Sequence, residues 1–527
     1  MKNPTRICSL FLTVLGLSFF AGCRVGPRYT RPSALPTSPP EQYKEAATPA
    51  VNDSGEWRPA QPQDAMLRGK WWLIYNDPEL NDLEDKLNID NQNIKVFFQN
   101  YMEARTLIAQ ARSQLYPTLG VAPGFQRSRT SANLSRNTGT GSSSSPTSSG
   151  TGTTSTTSTV TSAGTQSTLW SIPFEASWEP DLFGKVRNQI RVNQYAAQVS
   201  AADLENERLS EQSNLAIFLF ELRGQDALID VFRKTVEADR KSVELTRSLY
   251  DTGVGDQAAV VQAENTLQNA EASATNLGVL RAQFEHAIAV LIGVNPSSFS
   301  IPAKSLDSAP PAIPIGMPSQ LLERRPDVAA AERQMASANA LIGVGTAAYF
   351  PTLPLTAGGG TESSAISQLF DWPSRFWSVG ASASETIFDA GLRRATVNQF
   401  IATYNADVAT YRQTVLTAFQ QVEDNIASLR ILSQQYQQQQ IAAASAQQSV
   451  DLETARYETG MDPYIDVVQT QLTLLTEQNT LVTLRTEQMT ASVQLIQALG
   501  GGWNVSDLPT PSQVSAPFSK ADRTIQK

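Results

Sequence analysis

The sequence predicts a mainly α protein with a transmembrane β-barrel part, built from a duplicated unit of helix, two strands, long helix and final helix. Three observations predict it. The chain repeats its own punctuation, YDTGVGDQAAVVQAE at Tyr250 to Glu264 and YETGMDPYIDVVQTQ at Tyr457 to Gln471. Apolar residues run at heptad spacing through a segment too long for a compact globule. An export signal opens the chain, yet no later segment holds 18 consecutive apolar residues. Any membrane crossing therefore falls to strands that close into a barrel.

The signal comes first. Lys2 and Arg6 precede the 14-residue apolar run ICSLFLTVLGLSFF, and Ala21, Gly22 and Cys23 follow it. A charged start, a short apolar run and small residues before a cleavage point read as a secretory signal. The F-A-G-C ending resembles a bacterial lipoprotein signal, in which cleavage leaves Cys23 first and lipidated. Arg24 after it favours the outer membrane. Residues 1–22 are thus expected as signal peptide and 23–78 as a lipid-anchored extended segment.

The repeat sets the remaining boundaries. Tyr250/Tyr457, Gly253/Gly460, Gly184/Gly391 and Gly293/Gly500 are each 207 residues apart. Upstream the offset is 234: Leu119 of LYPTL matches Leu353 of YFPTL, and Asn93-Ile94 matches Asp327-Val328. The first copy therefore carries 27 extra residues, where the tract GTGSSSSPTSSGTGTTSTTSTVTSAG runs from Gly139 to Gly164. That composition cannot bury a core and is expected as a surface loop. Repeat 1 is expected over 79–304 and repeat 2 over 318–502, with a Pro-rich linker at 305–317 and a tail at 503–527.

Each copy opens with a helix, roughly 79–113 and 318–347, and continues with hairpins at 115–178 and 349–388. Trp170, Ile172, Phe174, Ala176 and Trp178 alternate with Ser171, Pro173, Glu175 and Ser177. Trp377, Val379, Ala381 and Ala383 alternate with Ser378, Gly380, Ser382 and Ser384. A half-buried soluble sheet alternates in the same way; the export signal tips the balance toward a membrane. One chain offers four such strands, too few to close, so spanning requires two, three or four copies.

The long helix of copy two runs from near Gly391 to near Tyr457. Val397, Ile401, Tyr404, Val408, Tyr411, Val415, Phe419, Val422, Ile426 and Leu429 follow one another at gaps of 3 or 4. Such a helix is on the order of 100 Å long. The final helix, Pro463 to Leu499, is about half that. Two half-length helices stacked end to end would match one long helix. Between them, Gly460 stops the first helix in a left-handed conformation, Asp462 is expected as N-cap and Pro463 as first helical residue. Gly253-Val254-Gly255-Asp256 does the same in copy one. Beyond the turn, Ile465, Val468, Leu472, Leu475 and Val482 make an apolar face. Asp466, Thr470, Thr473, Glu477 and Thr480 make a polar stripe beside it. That suits a helix with one face on a water-filled lumen; a solvated face, with Asp466 complementing the helix dipole, fits the same spacing.

Composition narrows the chemistry. Net charge is −9, which argues against nucleic acid as a partner. One histidine, His286, and two cysteines, Cys8 and Cys23, make no metal-ligand cluster and no Cys–His pair. His286 is expected as a structural residue. No nucleophile–base set appears, so no enzyme and no cofactor is expected.

WWLIYNDPELNDL (71–83), LLERRPDVAAAE (321–332), ANALIGVGTAAYFPTL (338–353), WEPDLFGKVR (178–187), FDAGLRRA (388–395) and the two Tyr-x-x-Gly turns occur together in one chain. With the Cys23 signal, they resemble the TolC-like outer-membrane efflux proteins, in the lipoprotein branch often called NodT-type. The resemblance implies a homotrimer with a 12-stranded β-barrel and a long periplasmic α-barrel. It implies a passive conduit for small molecules, docked to a periplasmic adaptor protein and fed by an inner-membrane pump of the resistance-nodulation-division type. It places Tyr250, Gly253, Val254, Tyr457, Gly460 and Met461 at the docking tip. It places Asp466 in an acidic gate ring, Gln469 where others are acidic, Asp462 where some carry a basic gate residue and Ala259 where copy one can carry an acid. The Ser/Thr tract becomes an extracellular loop. A protein-secretion channel and a nonporous lipid-anchored scaffold are the competing readings.

Overall fold

The structure, a computed structural model, describes residues 24–34, 43–45, 69–129, 166–314 and 321–517. The signal peptide with Cys23 and the Ser/Thr tract from Gly139 to Gly164 lie outside the described residues. The chain forms two compact units. One gathers Gln110–Asn188 and Gly343–Thr396 and holds the strands. The other, with Pro27–Ala109, Gln189–Ile342 and the chain from Val397 onward, is helical.

In chain order, short one-turn helices aside, the elements are α1 (Pro78–Asp90), α2 (Gln92–Ser113), β1 (Thr118–Val121), β2 (Gly124–Arg129), β3 (Gln166–Trp178), α3 (Lys185–Asp251), α4 (Gln257–Leu291), α5 (Pro326–Ala347), β4 (Leu355–Ser363), β5 (Arg375–Ala381), α6 (Leu392–Glu458) and α7 (Tyr464–Ala498). The duplication survives as matched lengths. Helices α2 and α5 have 22 residues each, α3 and α6 have 67, and α4 and α7 have 35.

The expected single helix over 79–113 is two helices. Asn91 leaves the helical conformation at ψ 126 because its side chain serves two helix ends. Its Oδ1 accepts from the amide of Ile94 at 2.9 Å, capping α2, and its Nδ2 donates to the carbonyl of Leu291 at 2.9 Å, closing α4. Arg325 holds the matching place in copy two, donating to the carbonyl of Ala498 at 2.9 Å. Close approach requires glycine at both joints. A Cβ on Gly293 would lie 2.7 Å from the Asp90 carbonyl oxygen, and one on Gly500 would strike that of Arg324. The half-length helices therefore stack end to end in both copies.

The main helical core joins α1, α3, α4 and α7 through Leu80, Leu87, Leu219, Phe220, Ile288 and Ile496. Within it Arg223 is buried and pairs with Asp77 and Glu79, so its charge is compensated on removal from water. Just ahead of α1, Trp71–Tyr75 form one 3-10 turn, whereas residues 24–34 and 43–45 lie without regular structure against helices. The Tyr29 hydroxyl donates to Glu332 at 2.5 Å, and the Glu423 carboxylate accepts the amides of Lys44 and Glu45 at 2.8 and 3.0 Å.

The strands form one antiparallel sheet in which β1 and β2 both pair with β3, β3 pairs with β4, and β4 with β5. β1 and β2 are one line, interrupted at Pro123, which has no N–H to donate, without a change of register. The four strand lines expected from sequence are thus present. Their faces align. Leu119, Ala176, Ala357 and Val379 share one row, and Val121, Phe174, Gly359 and Trp377 the next row of the same face. Thr118, Ser177, Thr356 and Gly380 lie on the opposite face, as do Gly120, Glu175, Gly358 and Ser378. In these rows one face is apolar and the other small and polar. Among the described residues, the outer lines β1/β2 and β5 pair on one side only.

Candidate functional site

The two helix turns, far apart in sequence, close around one cleft of about 490 Å³ lined by Leu249, Val254, Asp256, Tyr457, Asp462 and Tyr464 among others. Each turn is built the same way. Gly253 and Gly460 take φ of 73° and 72°, the left-handed region where glycine is unstrained. The Gly253 amide donates to the Tyr250 carbonyl at 2.9 Å and the Val254 amide to Leu249 at 3.0 Å. The Gly460 amide donates to Tyr457 and the Met461 amide to Arg456, each at 2.9 Å. These paired bonds satisfy the last carbonyls of α3 and α6. They also push the next side chain outward: Val254 is 73% and Met461 69% exposed. Tyr250 is exposed beside them. The Tyr457 ring lies 5.2 Å from that of Tyr464.

Asp462 is not the cap. The capping position of α7 falls on Pro463, which offers no side-chain bond, and the Asp462 carboxylate pairs instead with the Arg456 guanidinium. A cation in the last turn of α6 outcompetes the neutral amides for the carboxylate. In copy one Asp256 does occupy the cap position, though its side chain makes no cap bond. Asp466 lies half-buried in the first turn of α7, and Gln469 is exposed one turn on. Ala259 packs against a small core of Val243, Ala263, Tyr464, Val467 and Val468 under the turns.

That core corrects the expected apolar face of α7. Of its residues near the turn, only Val468 is buried; Ile465 is 45% and Leu472 52% exposed, and Tyr464 and Val467 take the inner positions. The helix is shifted because it packs on α3 as well as on its own hairpin partner. The polar stripe is also divided. The hydroxyls of Thr470, Thr473 and Thr480 donate to carbonyls of their own helix, whereas Glu477 accepts from Gln439 of α6. Glu477 therefore faces a neighbouring helix.

Sequence reasoning missed Asp239. It sits on α3, 3% exposed, and its Oδ2 has no hydrogen-bond partner among the described residues. Burial pushes its carboxyl up to about 6. Close by, Gln471 donates to the Ser242 hydroxyl at 3.3 Å, and burial pushes the Tyr464 hydroxyl up to about 12. The available signal was the repeat itself: at the 207 offset, Asp239 corresponds to Ala446.

His286 is exposed on α4. Among the described residues no group of His, Cys, Asp and Glu could hold a metal ion, and no helix is long and apolar enough to cross a membrane.

The outer membrane efflux protein family matches residues 85–294 and 317–501. The chain is 30% identical over 471 residues to the pyoverdine export outer membrane protein OpmQ of Pseudomonas aeruginosa, covering 87% of this chain and 94% of that one. It is 29% identical over 497 residues to the toluene efflux pump outer membrane protein TtgF of Pseudomonas putida, covering 94% and 97%. Among solved structures, the outer-membrane channel OprN superposes with a TM-score of 0.77 at 25% identity, covering 91% of this chain and all of that one. With two matched segments spanning both copies, this chain belongs to the outer membrane efflux protein family.

Proposed function

We propose that this chain is the exit duct of a tripartite efflux pump. It conducts small molecules passively from an inner-membrane transporter of the resistance-nodulation-division type, through a periplasmic adaptor, to the outside. The observation that carries this reading is the sheet: four aligned strand lines, one apolar face, one polar face and two edges unpaired among the described residues. An open edge is not tolerated in lipid, so identical chains must supply the missing partners. Three copies give the 12-stranded barrel that the family resemblance implies. Cys23 is the lipid attachment point on this reading.

Asp466, Asp462 and Gln469 are the proposed constriction of the periplasmic end. Tyr250, Gly253, Val254, Tyr457, Gly460 and Met461 are the proposed docking surface for the adaptor. Exposed Val254 and Met461 on two like turns support that role. Opening is a population shift: adaptor and pump bind the open tip more tightly than the closed one. Relatives named for toluene and pyoverdine export make both compound types the first substrates to try.

Conductance of purified trimers in planar bilayers tests the duct. Discrete ion-conducting steps are expected under opening conditions; electrically silent trimers would overturn the reading in favour of a nonporous scaffold.

A further inference from the structure

The strand register separates charge as well as polarity. Arg127 pairs with Thr168 and Arg129 with Gln166, while Arg375 pairs with Thr361, itself opposite Ile172. By parity all three arginines lie on the face of Trp170, Ile172 and Phe174. That face carries no carboxylate in the described strands. The opposite face carries Glu175 and Glu362 and no base. Position is equally selective. Arg127 and Arg129 end β2 and Arg375 begins β5, so all three lie at the strand ends remote from those that lead into α3 and α6. From Trp178 to the level of Arg127 is ten residue steps on β3. That is about 33 Å along the strand, or about 25 Å along the membrane normal at a typical tilt, the height of the apolar band of an outer-membrane barrel. To the backbone of Arg375 it is six steps, and its long side chain reaches back toward the border to Trp372 in the connection ahead of β5.

A guanidinium facing hydrocarbon at mid-bilayer is costly, but at the band's border it costs little and reaches headgroups. Among the described residues none of the three forms an ion pair with a carboxylate. Arg127 donates to Gln166 at 3.2 Å, which uses one of the five donors of its guanidinium. Arg375 stacks 4.0 Å over the ring of Trp372, which is 76% exposed, an aromatic and cation combination suited to a membrane interface.

We propose that Arg127, Arg129 and Arg375 form an outward basic belt that binds the phosphate groups of lipids in the outer leaflet. This rests on the barrel reading above, since it needs the apolar face to meet lipid. Arginine suits the task because its planar fork binds phosphate oxygens two at a time. The belt fixes how deep each strand sits and selects a phosphorylated lipid as its neighbour.

The test places full-length protein in phosphatidylcholine nanodiscs doped with diphosphoryl lipid A or with its dephosphorylated form. Lipid retained on extracted trimers is then weighed by native mass spectrometry. The diphosphoryl form is expected to be enriched, and enrichment is expected to fall about fivefold for each arginine changed to glutamine. Arg127→Lys, Arg129→Lys and Arg375→Lys together should keep part of it. Equal retention of the two lipids by the parent, or undiminished enrichment in the triple glutamine variant, would overturn the belt. If the triple variant does not assemble, the three single variants are weighed in its place, and undiminished enrichment in all three overturns the belt equally. Conductance of the parent is recorded in parallel. A parent that conducts without preferring phosphate defeats the belt alone; one that never conducts counts against the duct.

Discussion

Asp239 shows what one side chain can do to a helical seam. Its carboxyl is raised from 3.8 to about 6 by burial alone. A raised folded-state value means the protonated form is favoured on folding. The contribution is complete below pH of about 4 and lost as pH rises through about 6. The packing of α3 on α7 is therefore expected to loosen between those values. Asp239→Asn removes the buried charge while keeping its shape. It should stabilise the protein by about 2 kcal/mol at pH 7.5 and leave it unchanged at pH 4. Thermal unfolding of the two proteins at both values checks this, and an equal difference at both would refute the buried-charge account. The turn glycines were legible because a left-handed residue between two helices has few alternatives to glycine. Asp239 was not, since an acid in a heptad reads as a solvated position until the neighbouring helix is placed. Asp462 misled for a related reason: capping propensity is local, and Arg456 took the carboxylate first.

At the scale of elements, helices were read well and their joints poorly. The 67-residue helices followed from heptad spacing and terminal glycines. The break at Asn91 did not, because it depends on the end of α4, some 200 residues away. Asn91→Ala removes a cap and a bond to Leu291 together and should cost about 1–2 kcal/mol. Denaturant unfolding measures it, and a change below about 0.3 kcal/mol would show that the joint does not hold. The strands make a separate prediction. Glu175 and Glu362 are the carboxylates of the polar face, the one that lines the lumen in a closed barrel. Glu175→Gln with Glu362→Gln should lower cation preference in bilayer recordings without changing assembly. A reversal potential identical to the parent's would place both carboxylates off the ion path.

The molecule as a whole belongs to the outer membrane and is a member of an efflux family. Its two copies have diverged where function is proposed: Asp462-Pro463 and Asp466 occur only in copy two, opposite Gly255-Asp256 and Ala259 in copy one. Asp466→Ala in the assembled protein should raise conductance or weaken cation preference; unchanged current and selectivity would remove Asp466 from the constriction. Cys23→Ser should abolish incorporation of a fatty-acid probe. Continued labelling would show that lipid attaches elsewhere or that the export signal is an ordinary one.

The sequence by itself determined the duplication, the lengths of the long and final helices, the turn glycines, the count of strand lines and the family. These are written in periods and single residues whose preferences act over a few positions, so they survive without knowledge of neighbours. Only the tertiary structure decided that Asp239 is buried and Asp462 paired. It alone showed that Ile465 and Leu472 stay exposed and that three arginines share the apolar face of the sheet. Burial, pairing and cross-strand register arise between residues tens to hundreds apart, and one chain's pattern is compatible with several such meetings until packing selects one.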